Sequence, residues 1–185
     1  TLGSLDSICP PAEAAFALWK SFLDARGIRR IEGRVIGDGS AFDGMREHPS
    51  WSWEDLGSYY GQGSSGLNFC ENFLRFNVRP GAKVGDPIRL TQLYPKTPWL
   101  KIEDESSTGV PGSGDELYFY TTDFSPKALM RGTYAVDKKP KVLCCANKQP
   151  ELSCATEFLK YLNSNGITGG TAVGATKGTG RCELE

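Results

Sequence analysis

The sequence of 185 residues lacks both a long hydrophobic run and a sizeable net charge of either sign. No stretch approaches the roughly 20 apolar residues that a membrane-spanning helix requires, so we predict no transmembrane segment. Lys and Arg total 21 against 22 Asp and Glu, and such a chain offers no basic field to a nucleic acid duplex. With 39% hydrophobic residues, it has instead the composition of a globular protein with one substantial core or two modest ones.

Histidine is almost absent, and serine lacks the neighbours that activate it. His48 is the only histidine, which excludes multi-histidine metal sites and leaves a histidine-based triad a single candidate. No serine has a lysine three residues later, G-x-S-x-G and S-x-N do not occur, and K-G-T-G at residues 177–180 differs from K-T-G by an inserted glycine. These motifs mark activated serine nucleophiles. We therefore predict no catalytic residue in this chain, and we also predict no metal and no cofactor.

The cysteines do not form a recognisable framework. Their spacing fits none of the paired C-x-x-C patterns of zinc sites, and six are too few to staple a chain of this length. We interpret them as small buried hydrophobic residues with a stray thiol or one unrelated disulfide. An activated thiol at Cys144 or Cys145 is the alternative, although the only nearby basic residues are Lys141 and Lys148. The six are Cys9, Cys70, Cys144, Cys145, Cys154 and Cys182.

One glycine-rich motif resembles a dinucleotide fingerprint. Residues 61–66 (G-Q-G-S-S-G) match G-x-G-x-x-G, and Asp86 follows at the distance expected of a ribose-binding acid. A true fingerprint must open a helix whose N-terminus meets the pyrophosphate. Here the glycines run into a strand-like segment, so we interpret them as a glycine-rich bend.

Two segments with helical periodicity lie near the ends of the chain. The first covers residues 10–27 and is followed by a strand over 28–37; the second begins at Pro150, ends at Asn165-Gly166 and is followed by a strand around residues 167–173. Both helices pass into their strand through Gly-Ile, the connection that layered α/β units use. We therefore predict that the two ends share one domain.

Between these segments the pattern alternates as in β-strands. Alternation and turn residues predict strands over 74–78, 87–94, 100–104, 118–120 and 128–136. The fold class is therefore mixed, α/β or α+β: a discontinuous α/β domain over residues 1–66 and 140–175, with an all-β domain inserted at 67–139. Residues 176–185 are expected to be a flexible tail. Its last two residues suggest a tag remnant, and the missing initiator methionine suggests a segment cut from a longer protein.

Residues 49–61 have the most unusual local composition, with four large aromatic residues and two acids in a turn-flanked stretch. Clustered aromatic residues most often anchor a loop against a core. An acid beside aromatic rings can also bind a cationic or amphipathic ligand through charge and through ring faces. Both interpretations remain open from the residues alone.

The order and spacing of several motifs give a specific resemblance. The chain resembles the D-alanyl-D-alanine carboxypeptidase/endopeptidase family of class C low-molecular-mass penicillin-binding proteins, from Thr1 to about Gly170. The residues that carry the resemblance are WSWEDLGSYYG at 51–61, SGLN at 65–68, EN at 71–72, PG at 80–81 and GDP at 85–87.

The resemblance implies where this chain belongs in such a protein. Family members carry S-x-x-K, then a long insertion with a Rossmann-like α/β domain that bears a β domain, then S-x-N and K-T-G. This chain matches the insertion and lacks all three motifs. The implied function is a non-catalytic part of a serine-type D-Ala-D-Ala carboxypeptidase in the cell envelope or periplasm, which forms one wall of the cleft for peptidoglycan stem peptides. Its partner would be the remaining catalytic domain of the same chain.

Two site residues follow from the resemblance. In the family, the aspartate of W-x-W-x-D and an aromatic residue five positions later are implicated in holding the diaminopimelate side chain, and they correspond to Asp55 and Tyr60. Tyr59 precedes Tyr60, so the position of the aromatic residue is less well defined than that of Asp55. Asp55 capping a turn is the alternative. The alternative function is a self-standing envelope module that binds peptidoglycan or glycan through aromatic residues of this segment, namely Trp51, Trp53, Tyr59 and Tyr60.

Overall fold

The computed structural model describes residues 2–3, 11–42, 45–123 and 125–175. Predictions for Cys9, Cys182, the K-G-T-G motif and the tail at 176–185 lie outside the described residues, as does most of the chain before Pro11. The protein divides into two compact units. The first lies within Thr1–Gly44, Ser64–Asn72 and Gln149–Glu185, and the second comprises Met45–Gly63 and Phe73–Lys148.

The described residues form a mixed α/β protein with two α-helices and nine strands. In chain order the elements are α1 (Ala12–Ala25), β1 (Arg30–Asp38), a short 3-10 helix (Cys70–Asn72), β2 (Phe73–Arg79), β3 (Arg89–Gln92), β4 (Lys101–Asp104), β5 (Ser107–Gly109), β6 (Asp115–Tyr120), β7 (Lys127–Ala135), β8 (Lys141–Ala146), α2 (Pro150–Ser164) and β9 (Thr168–Ala175). Neither helix in this described part has the length and apolar character that a membrane crossing requires.

In the first unit, both predicted helices and the strands after them are present. β1 and β9 pair in parallel, with a register shift between Ile31 and Arg34. Gly27 and Gly166, with φ of 70° and 88°, end the helices in the left-handed conformation that glycine adopts without strain. β1 follows α1 and β9 follows α2 through the same kind of short connection, and the two strands pair in parallel.

Leu18 and Phe22 belong to the apolar face that helical periodicity predicts for α1, and the structure exposes both. Leu18 and Phe22 are 56% and 55% exposed, whereas Ala12 and Phe16 are buried. The ring of Phe16 lies 5.3 Å from that of Phe158 on α2 and 6.2 Å from that of Phe69. Packing around the Phe16 ring orients α1.

The second unit is built from two sheets. One has the antiparallel order β3-β2-β8, and in the other β7 pairs in parallel with β4 and β5 and antiparallel with β6. Strand alternation buries one side of each strand, as on β2, where every second residue from Leu74 to Val78 is buried. The buried residues that form the core are Leu74, Phe76, Val78, Ile88, Phe119, Ala128, Met130, Tyr134 and Cys145.

The bounds of the two units differ from the predicted domain bounds. Residues 45–63 and 140–148 group with the β unit, and residues 67–72 group with the helical unit. The reason is β8, which has no clear strand pattern in the sequence and which pairs along β2 from Phe73–Ala146 to Val78–Lys141. Residues 45–63 group with the β unit because the Ala146 N–H of β8 donates to the Gly57 carbonyl at 2.9 Å.

Candidate functional site

Both predicted site residues line one concavity in the second unit. Trp51, Asp55, Tyr60 and Gly61 enclose a space of about 310 Å³. All four residues come from the aromatic segment at 49–61, so a short stretch of chain builds the whole lining. The structure thus places Asp55 and Tyr60 at the same concavity.

A series of tight turns folds this segment. The N–H groups of Trp51, Asp55, Ser58 and Gly61 each donate to the carbonyl three residues earlier, at 2.9 to 3.1 Å. The Ser58 hydroxyl adds a bond of 2.7 Å to the Asp55 carbonyl. Repeated i to i+3 bonding bends the chain back on itself, which places Trp51 and Tyr60 at the rim of the same concavity.

The carboxylate of Asp55 is not used by these turns. Asp55 is exposed, and within the described part of the chain its side chain forms no hydrogen bond and no ion pair. Its main-chain carbonyl closes the turn instead. The described geometry therefore gives no support to the alternative in which the Asp55 side chain caps a turn, and it leaves the carboxylate available to a ligand.

Tyr60 is the tyrosine that lines the concavity. Tyr59 and Tyr60 lie side by side, with ring centroids 3.8 Å apart, and the Tyr59 hydroxyl donates to that of Tyr60. This hydrogen bond raises the pKa of Tyr59, with burial as a smaller cause. Tyr60 is 66% exposed, so Tyr59 supports a ring that presents most of its surface to solvent.

A buried ion pair supports the segment from beneath. Lys148 Nζ lies 2.7 Å from Glu47 Oε1, with 6% and 11% of the two side chains exposed. Lys148 also donates to the Gly61 carbonyl at 2.6 Å, and Glu47 accepts from the Thr122 hydroxyl at 2.9 Å. Lys148 thus fixes a residue of the concavity itself. Sequence reasoning missed this pair because nothing local connects residues a hundred positions apart.

His48 has a local role in the structure. Its Nδ1 lies 2.7 Å from the Ser50 hydroxyl and also accepts the Ser50 N–H at 3.2 Å. Both residues are exposed, and in the described region no carboxylate bonds the ring. A Ser-His pair two residues apart in an exposed turn, without a third group to orient the base, lacks the arrangement of a catalytic triad.

The buried thiols of the described region do not provide an alternative site. The four cysteines of the described region are free, and Cys70, Cys145 and Cys154 are buried. Burial strongly raises the pKa of the Cys145 thiol and raises that of Cys154 to about 12. Because the thiolate is the reactive form, both remain protonated at neutral pH. This agrees with the prediction that most of the cysteines act as small hydrophobic residues.

The glycine-rich motif at 61–66 is a bend, as predicted. No helix begins there; residues 61–65 have no regular structure, and the chain continues into the 3-10 helix and then β2. A phosphate group would find no helix N-terminus at this point. The geometry of a dinucleotide fingerprint is therefore not present.

The sequence profile of the D-Ala-D-Ala carboxypeptidase 3 (S13) family matches residues 13–181. The chain belongs to this family. The resemblance expected from the W-x-W-x-D segment and the motifs after it is thus confirmed. A comparison with curated protein sequences finds no relative.

Solved structures show a similar fold. Penicillin binding protein 4 (dacB) from Haemophilus influenzae superposes with a TM-score of 0.69 at 18% identity, over 90% of this chain and 36% of that one. A second structure of that protein, complexed with a novel beta-lactam, gives 0.57 at 14% identity, over 90% of this chain and 34% of the other. This member of the S13 family thus spans about a third of the length of these two relatives.

Proposed function

We propose that this chain forms non-catalytic inserted domains of a serine-type D-Ala-D-Ala carboxypeptidase or endopeptidase that acts on peptidoglycan stem peptides in the cell envelope. Membership of the S13 family supports the activity, and the absence of all three serine motifs supports a non-catalytic part. We also propose that the helical unit is a Rossmann-like domain into which the all-β domain is inserted. Its partner is the remaining catalytic domain of the same protein.

Within this function, Asp55 and Tyr60 bind the amino-bearing end of the stem-peptide side chain. The observation that carries the assignment is the Asp55 carboxylate, which has no bonding partner in the described region and lines the same concavity as Trp51 and Tyr60. A carboxylate facing an ammonium group forms a charge-assisted hydrogen bond. The Tyr60 ring offers apolar surface to the methylene groups next to that ammonium.

In this proposal, the catalytic domain and the chain described above have different roles in the reaction. In the whole enzyme, the acyl group of the peptide is transferred to a serine and then to water. The nucleophile belongs to the catalytic domain, and this chain contributes one wall of the substrate cleft. Contacts remote from the reacting bond raise the rate when they position the substrate for attack.

A self-standing envelope module without catalytic activity is the second candidate function. It would bind peptidoglycan or glycan through Trp51, Trp53, Tyr59 and Tyr60, and the exposure of all four side chains favours it. Such exposed aromatic residues are typical of binding surfaces. The two candidates differ in whether Asp55 acts on a bound amine during catalysis.

Replacing Asp55 with asparagine in the complete enzyme is expected to lower kcat/KM about tenfold to a hundredfold on a D-Ala-D-Ala peptide with a free side-chain amine. A hydrogen bond between charged groups contributes roughly 1.5–3 kcal/mol, which corresponds to that range. Steady-state kinetics on this peptide, and on the same peptide with the amine acetylated, measures the effect. The acetylated peptide should show no difference between Asp55→Asn and wild type.

Glu54→Gln is the matched control, because Glu54 is an exposed acid next to Asp55 that does not line the concavity. It should behave as wild type on both peptides. Equal losses on the two peptides in Asp55→Asn, together with a lower melting temperature, would show that Asp55 supports the turn rather than the ligand.

The isolated chain is expected to form no covalent adduct with a β-lactam. No serine in it has a lysine one helical turn later to accept the hydroxyl proton. Intact-mass measurement after incubation with penicillin should show only the mass of the protein. A stoichiometric mass increase that maps to any serine of this chain would contradict the inserted-domain assignment.

A further inference from the structure

A second concavity in the β unit shares no residue with the Asp55 site. It encloses about 220 Å³, and Trp53 and Tyr120 form its aromatic part. Trp53 belongs to the same W-S-W motif as Trp51, yet the two indoles line different concavities. The inserted-domain function proposed above uses Trp51 and gives no role to Trp53, whereas the second candidate function includes Trp53 only as one of four exposed aromatic residues.

Strand register explains why this surface carries large polar and aromatic side chains. Leu129 on β7 pairs with Tyr120 on β6 and with Glu103 on β4, so these three side chains share one face of the sheet. Their neighbours Phe119 and Met130 point to the opposite face and are buried in the core. The face with Tyr120 is therefore the outer face of the sheet.

Three aromatic rings form a row on this face. Tyr118 and Tyr120 have centroids 6.4 Å apart at an interplanar angle of 29°, and Tyr120 and Trp53 have centroids 6.2 Å apart at 20°. The row fixes the orientation of the indole, although Trp53 is still 59% exposed. An exposed, fixed aromatic surface beside a concavity is a typical ligand platform.

The charged groups around the concavity compensate one another. Arg131 donates two hydrogen bonds to Glu105, at 2.7 and 3.0 Å. Glu103 Oε1 lies 4.0 Å from Lys127 Nζ and 3.5 Å from Lys101 Nζ. The three cations Lys101, Lys127 and Arg131 face the two carboxylates of Glu103 and Glu105, so the net charge is small. A small net charge favours a neutral ligand over a strongly charged one. The remaining polar lining consists of hydroxyl-bearing residues, namely Thr121, Thr122 and Ser125. The Thr122 hydroxyl already donates to Glu47, so it can only accept from a ligand.

We propose that Trp53 and Tyr120 form a binding subsite for a neutral sugar ring of an oligosaccharide. The C–H groups on one face of a sugar ring carry partial positive charge and pack against the electron-rich face of an indole. The hydroxyl groups at the sugar edge are met by the threonine, serine and charged side chains of the concavity. This site is separate from the Asp55 site and does not depend on the role proposed for Asp55.

NMR of the 15N-labelled chain with a tetramer of N-acetylglucosamine as the probe tests the proposal. The four tryptophans give four indole N–H signals, which single Trp→Phe variants assign. We expect the Trp53 signal to shift saturably with the tetramer and the Trp51 signal to remain in place. No saturable shift of the Trp53 signal, or an equal shift of the Trp51 signal, would overturn the proposal.

Variants complete the test. Trp53→Ala should weaken binding of the tetramer at least about fivefold, from the loss of ring stacking, and Trp53→Tyr should restore much of it. Trp19→Phe is the control, because Trp19 lies in the helical unit, and it should bind the tetramer as wild type does. Tighter binding of choline than of the tetramer would identify a cation site and overturn the proposal. Failure here leaves the amine-dependent effect of Asp55→Asn unaffected, so the two proposals can be judged separately.

Discussion

Replacing Lys148 with methionine is expected to destabilise the β unit by about 3–5 kcal/mol, the usual cost of leaving a buried charge without its partner. Glu47 would keep its bond from the Thr122 hydroxyl but lose the ammonium 2.7 Å away. The Gly61 carbonyl would lose its donor as well. Because both side chains are nearly inaccessible to water, solvent screening offsets little of this cost.

Urea unfolding in a Trp19→Phe background measures the effect within the β unit. Trp19 is the only tryptophan of the helical unit, whereas Trp51, Trp53 and Trp99 belong to the β unit. Fluorescence then reports on the β unit alone. The double variant Glu47→Gln/Lys148→Met removes both charges and should recover a large part of the loss. If Lys148→Met unfolds at the same urea concentration as its parent, the pair does not support the fold.

Local signals were sufficient to predict both helices and several strands. Pro11 and Pro150 at the helix starts, and the glycines after the helix ends, gave α1 and α2 within a few residues of their observed bounds. Alternation gave β2, β6 and β7, because one face of each strand is buried and the other is not. These features are determined by neighbouring residues, which a sequence displays directly.

Features that depend on distant parts of the chain were not predictable. β8 runs as K-V-L-C-C-A and shows no clear alternation, so only its pairing with β2 reveals it. The burial of Lys148 depends in the same way on a segment far away in the sequence. At the candidate site, Asp55 and Tyr60 were proposed from the family resemblance, whereas the separate directions of Trp51 and Trp53 required coordinates.

Replacing Gly57 with alanine is expected to cost more than about 4 kcal/mol, which exceeds most single substitutions. A Cβ at this position would lie 1.5 Å from the Phe119 carbonyl oxygen and 2.4 Å from its carbon. Both atoms belong to the backbone of β6, which is held by its ladder to β7 and cannot yield as a side chain can. The segment would have to move away from β6.

That movement would also affect the candidate site, because Gly57 lies between Asp55 and Tyr60 in the chain and its carbonyl accepts the Ala146 N–H of β8 at 2.9 Å. Gly57→Ala should therefore lower the urea midpoint of the β unit and shift the indole signals of both Trp51 and Trp53. Gly33→Ala is the matched control, since a Cβ there meets no atom within 4 Å, and it should change stability by no more than about 0.5 kcal/mol. Wild-type stability in Gly57→Ala, with both indole signals unmoved, would mean that the segment does not pack against β6 as closely as the structure shows.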